Sequence, residues 1–157
     1  MGRFYSLTFS KVSVSQVQDL ISGVTTSSNV LTRIRRFWCM CTDNAVPSGV
    51  DQLAFQAWIS TATTLGSGGT TANMQRYDIN DANGIGTWHA NDTTQMTPGT
   101  QEILGNWACN VKQGLDVVLS TPAEMAGGDA FAFTLSQAPG AALHLSGGVL
   151  IEQIGGT

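Results

Sequence analysis

Charge is what this sequence has least of. Lysine and arginine total 7 residues and aspartate and glutamate 11, together 11% of the chain, where soluble domains carry about 25%. A free helical domain is disfavoured, because its solvent face normally holds Glu and Lys. Seven cations at a net charge of −4 neutralise few phosphates, which argues against a nucleic-acid partner. Long apolar runs are also missing. No stretch nears 18 consecutive apolar residues, so no membrane-spanning helix is expected. The opening Met1-Gly-Arg-Phe-Tyr-Ser-Leu-Thr-Phe lacks an apolar signal core, and no secretion is expected. Met1-Gly2-x-x-x-Ser6 matches an acylation pattern only formally, since bulky Phe4 and Tyr5 follow and no polybasic patch supplies a second anchor.

Catalytic and metal-binding residue types are equally sparse. The only histidines are His89 and His144, and the only cysteines Cys39, Cys41 and Cys109. Cys39 and Cys41 share one face of a strand and cannot easily bridge. A metal site would need C-x-x-C spacing and a fourth ligand. Buried free thiols in a reducing compartment are the expectation. There is no G-x-x-x-x-G-K-[ST] loop and no G-x-S-x-G elbow. Asp78-Ile-Asn-Asp-Ala-Asn-Gly84 fails the calcium-loop pattern, which wants an oxygen ligand at its fifth position and glycine at its sixth. An Asx-Gly turn is the better reading. Asn91-Asp-Thr93 is a glycosylation sequon without a signal. No cofactor, no metal and no enzymatic activity are therefore expected.

What remains is β-pattern. The chain has 157 residues, 42% of them hydrophobic, enough to bury a core without staples. Period-two alternation dominates. Strands are expected near residues 4–14, 19–24, 30–41, 51–64, 70–77, 103–111, 116–120, 130–136 and 141–154. Turn chemistry separates them at Thr25–Asn29, Asp43–Gly49, Gly66–Gly69 and Gln137-Ala-Pro-Gly140. In 30–41, strict alternation places Ile34, Arg36, Trp38 and Met40 on one face and Arg33, Arg35, Phe37, Cys39 and Cys41 on the other. Residues 78–99 read as a long polar loop carrying Trp88 and His89, and loops of that size are usually functional. The pattern is that of an all-β, single-domain antiparallel sandwich or barrel.

The candidate contact residues are Phe4, Tyr5, Arg33, Arg35 and Trp88. Arg33 and Arg35 belong to the only basic cluster, suited either to carboxylates of a partner subunit or to defence of an edge strand. Trp88 is expected to be exposed in its loop, where an aromatic side chain marks a contact surface. Phe4, Tyr5 and Phe9 fit either an N-terminal arm over residues 1–9, laid on a neighbour by strand addition, or the first core strand.

A resemblance runs nearly the whole length. Gly2-Arg-Phe-Tyr-Ser-Leu-Thr-Phe-x-x-Val-x-Val, Val30-Leu-Thr-Arg-Ile-Arg, Ala90-Asn-Asp-Thr-Thr, Asn106-Trp-Ala-Cys-Asn-Val, Thr121-Pro-Ala-Glu and Ser146-Gly-Gly-Val-Leu-Ile-Glu-Gln-Ile-Gly155 resemble small tailed-bacteriophage virion proteins of the capsid cement (decoration) type. The resemblance implies a jelly-roll homotrimer that binds the major capsid protein at the capsid surface, made in the host cytoplasm. The run Arg36-Phe-Trp-Cys-Met-Cys41 departs from that pattern, so the resemblance carries a class and no site. An alternative from another class is a carbohydrate-binding head of a fibre or tail, with Trp88, Tyr77 and the Asp and Asn residues of 78–99 meeting a glycan.

Overall fold

The computed structural model describes residues 1–61 and 63–155, and among them there is no helix. Eleven strands form: β1 (Arg3–Val14), β2 (Gln18–Val24), β3 (Val30–Cys41), β4 (Gln52–Ser60), β5 (Thr70–Thr71), β6 (Gln75–Arg76), β7 (Thr87–Asp92), β8 (Gln101–Asn110), β9 (Leu115–Met125), β10 (Ala130–Leu135) and β11 (Leu143–Gly155). They make two antiparallel sheets, β6-β1-β11-β3-β9 and β5-β7-β2-β10-β4-β8.

Setting β5, β6 and β7 aside shows the construction. The chain is folded in half: β1 pairs with β11, β2 with β10, β3 with β9 and β4 with β8. This long hairpin then rolls up, adding the pairs β11·β3 and β10·β4. The result is a sandwich, one of the two architectures the alternation allowed, with the jelly-roll connectivity that the resemblance implies. Rolling removes interior edges, but each sheet keeps an outermost strand.

The core lies between the sheets. Tyr5, Leu7 and Phe9 of β1 face Phe55, Phe131 and Phe133 across it, all buried. Phe37 sits 4.9 Å from Phe133 and meets Trp107 edge-on at 5.1 Å. Phe55 stacks on Phe133 at 5.5 Å. Such geometries contribute beyond simple area burial.

Two departures from strict alternation matter. In β3 the ladders to both neighbours slip at Arg35, and a bulge reverses the inside–outside phase downstream. Ile34, Phe37 and Cys39 are therefore all core residues, whereas Arg36 and Met40 are exposed. The expected grouping of Ile34 with Arg36, Trp38 and Met40 is corrected by that one extra residue. The second departure is at 70–99. The strand expected at 70–77 is only the two-residue β5 and β6, and the expected loop contains β7, whose Gly23↔Trp88 register places Trp88 in the core. Gly23 makes the room: a Cβ there would stand 2.4 Å from the indole ring. The expected 116–120 strand runs on to Met125 through Pro122, tolerated because β9 is an edge strand.

Candidate interaction surfaces

The outer face of the first sheet carries the arginines. Arg33 Nε donates to Glu124 Oε1 at 2.7 Å and Arg35 Nε to Glu152 Oε2 at 2.9 Å. Glu152 is nearly buried, and Arg33 Nη1 lies 3.9 Å from the same oxygen. Arg36 grips Asp116 through two bonds of 2.8 and 2.7 Å and stacks 5.4 Å above the Trp38 ring. The Arg36 hydrogen bond holds the Asp116 carboxyl below its ordinary range. Trp38 lies flat because Gly148 on the next strand has no side chain; a Cβ there would be 2.9 Å from the indole. The expected basic patch is thus corrected. Arg33 and Arg35 are committed to carboxylates of their own chain, which the sequence hid because Glu124 and Glu152 are 91 and 117 residues away.

Between these ion pairs, apolar groups stand out. Phe4, Met40, Tyr77 and Val118 are exposed, Val118 to 71%. Phe4 points outward from β1, while Tyr5 points inward and donates its hydroxyl to Ala82 O at 2.9 Å. Residues 3–9 pair along β11 and form a sheet strand, with β6 on their other side. The arm expected as one option for residues 1–9 is replaced by the other.

The two lateral sides of the sandwich differ. On one, β1 and β7 are covered by the two-residue strands β6 and β5. On the other, β8 and β9 end their sheets and leave 10 and 11 residues without a further partner strand among the described residues. Their inward side chains Leu104, Trp107, Leu115, Val117 and Leu119 reach the core but remain half-exposed. The sandwich is open on this side.

The outer face of the second sheet is roofed. The segments 63–69 and 93–97 run antiparallel, bridged at Thr64↔Thr97 and Ser67↔Thr94. They lie over β2, β10 and β4, where Met96 and Leu65 pack on Trp58, Ala130 and Ala132. Both faces of β10 are therefore buried, which explains its small alternate residues. Two cross-strand partners, Asp19 and Asp92, each 1% exposed, pin the roof. Asp19 Oδ2 accepts the Met96 N–H at 2.7 Å, and Asp92 Oδ1 accepts the Gly69 N–H at 3.0 Å. Burial pushes the Asp19 carboxyl up to about 6, against the pull of the Met96 and Gln95 hydrogen bonds, and neighbouring Asp92 adds to the rise.

His89 Nδ1 lies 2.9 Å from Asp92 Oδ2, and the Ser22 hydroxyl donates to the same oxygen at 3.5 Å. Hydroxyl and imidazole both lean on the carboxylate and not on each other, so this trio lacks the base–nucleophile contact of an activated serine. His144 stands on the surface, its ring 2.9 Å from Asp43, whose carboxyl is held low by His144 hydrogen bonds. Cys39 is buried and its thiol is pushed up by burial, as is that of half-buried Cys109; all three cysteines are free. Trp88, expected as an exposed loop aromatic, is 1% exposed and presents no surface. Its alternating pattern with Ala90 and Asp92 was the available signal, masked by the Gly, Asn and Asp around it. Asp19 and the roof had no sequence signal.

No family model matches the chain, and no curated protein matches it. Among solved structures it is weakly similar to infectious bursal disease virus, Gx strain, at 14% identity and TM-score 0.23, over 99% of this chain and 42% of that one. The T13 viral particle of that virus gives 16% and 0.23 over 99% and 40%, and its VP2 subviral particle 17% and 0.22 over 99% and 42%. The chain spans about two-fifths of the length of these proteins.

Proposed function

We propose that this chain is a non-catalytic structural protein of a bacteriophage virion, a cement protein that binds the major capsid protein at the shell surface as a homotrimer. The observation that carries this reading is the open β8–β9 side. Free sheet edges template unwanted pairing, and stable monomers shorten, charge or cover them. Here one side is blunted by two-residue strands, and the other exposes two long ones over half-buried Leu104, Trp107, Leu115, Val117 and Leu119. Three copies turning that side toward a common axis would cover it. The homotrimer itself comes from the resemblance to tailed-phage cement proteins. The low charge supports a subunit whose surface is shared with neighbours. Phe4, Tyr77 and Met40, set among ion pairs on the first sheet, suit shallow anchoring on a shell, where three weak contacts multiply.

Three measurements test the reading. Light scattering should give about 50 kDa, three chains of 16.5 kDa, and the protein should co-sediment with expanded, undecorated phage shells. Val118→Asp, at an exposed position of β9, should leave the circular dichroism unchanged and yield a monomer. A wild-type monomer that ignores shells overturns the proposal.

A further inference from the structure

The roof over the second sheet does not close completely. Beside Asp19 it leaves a cavity of about 340 Å³ between the sheet and residues 95–101, walled by Val17, Met96, Pro98 and the edge of Trp58. Polar groups converge on it from the sheet and from its cover: Asp19 of β2, Gln56 of β4, Gln101 at the start of β8, Thr134 of β10 with Ser136 just beyond it, and Gln95 of the covering chain. Part of their hydrogen-bonding capacity is not taken up by other protein groups and faces solvent, since Gln101 and Ser136 are exposed. Gln95 Nε2 spends its good bond on Thr134 Oγ1 at 2.6 Å and reaches Asp19 Oδ1 only at 3.3 Å. The Gln95 carbonyl oxygen and the side chains of Gln101 and Ser136 bond to nothing among the described residues. A fully buried carboxylate with one poorly served oxygen, beside a cavity, seeks a donor.

We propose that this cavity binds a single neutral hexose or N-acetylhexosamine residue. The volume lies in the range of small-ligand sites, and the mixture of apolar walls with a few convergent polar groups is their usual chemistry. Sugar hydroxyls both donate and accept, which matches an acceptor carboxylate beside amides and a hydroxyl. Among the described residues Asp19 is the only ionisable group lining the cavity, so anionic ligands are disfavoured. Trp88 and Tyr77 take no part. The site is independent of the virion role: a monomer that ignores shells yet binds sugar would overturn that role and leave this proposal standing.

The test is an amide chemical-shift titration of the full chain with glucose, galactose, mannose and N-acetylglucosamine, and with N-acetylneuraminic acid as the anionic control. One neutral sugar should shift residues 17–19, 95–101 and 134–136, with a dissociation constant on the order of millimolar for so few contact atoms. Gln101→Ala and Ser136→Ala remove side chains that hold nothing in the fold. Each should leave the spectrum otherwise intact and weaken binding by about three- to tenfold. Shifts elsewhere, equal binding of the anionic sugar, or no shift from any neutral sugar to about 50 mM, far above that expected constant, overturn the proposal.

Discussion

Replacing Asp19 by Asn should stabilise the protein at neutral pH, although it deletes a carboxylate that accepts hydrogen bonds from Met96 and Gln95. Asp19 is 1% exposed, and its carboxyl is raised from 3.8 to about 6, chiefly by burial. The folded chain therefore keeps the proton up to about pH 6, whereas the unfolded chain releases it near pH 4. With the folded value above the unfolded one, the contribution of this group is greatest below about pH 4 and declines as pH rises to about 6. A displacement of about two units corresponds to about 3 kcal/mol lost at pH 7. Asn has the size of the neutral acid, and its carbonyl can still accept the Met96 N–H. Asp19→Asn should thus gain about 2–3 kcal/mol at pH 7, or about 5–10 °C in Tm for a chain of this length, and almost nothing at pH 4. Thermal melts of both proteins at pH 4, 5, 6 and 7 read this directly, since subtraction removes every group the two share. A difference that does not grow with pH, or a variant less stable at pH 7, refutes the reasoning: the hydrogen bonds to Met96 and Gln95 would then outweigh the cost of burying the charge.

Three further outcomes follow from the packing. Gly23→Ala puts a methyl 2.4 Å from the Trp88 ring and 2.8 Å from the Thr87 carbonyl oxygen, and should cost about 1–3 kcal/mol in denaturant melts. Glu152→Ala leaves Arg33 and Arg35 facing each other; because both are about one-third exposed, the loss should be about 1–2 kcal/mol and shrink in high salt, measured by urea melts at two ionic strengths. Deleting residues 1–9 removes Tyr5, Leu7 and Phe9 from the core and the strand that pairs β11. Circular dichroism should show an unfolded chain, and a folded truncate would restore the arm.

Part of this protein is written locally. Alternation in Phe4–Phe9, Phe131–Leu135 and Leu143–Leu145, with turns at 25–29, 43–49 and 137–140, was enough for an antiparallel β-sandwich, because a strand shows its two faces in every second residue. The scarcity of charge, the lack of helical period and the few histidines and cysteines were likewise plain in composition. Faces and partners were not. One bulge at Arg35 turned Phe37 inward and Arg36 outward, and a single inserted residue leaves no mark on composition. Arg33 and Arg35 looked free because their carboxylates come from strands brought alongside only when the long hairpin rolls. Trp88 looked exposed because its concealment depends on Gly23 across the ladder. Asp19, in a short run otherwise read as an ordinary strand, became a buried titrating group only when residues 93–101 folded over it. Period and turn chemistry are properties of neighbours in sequence. Burial and charge pairing belong to neighbours in space, and here these are mostly more than seventy residues apart.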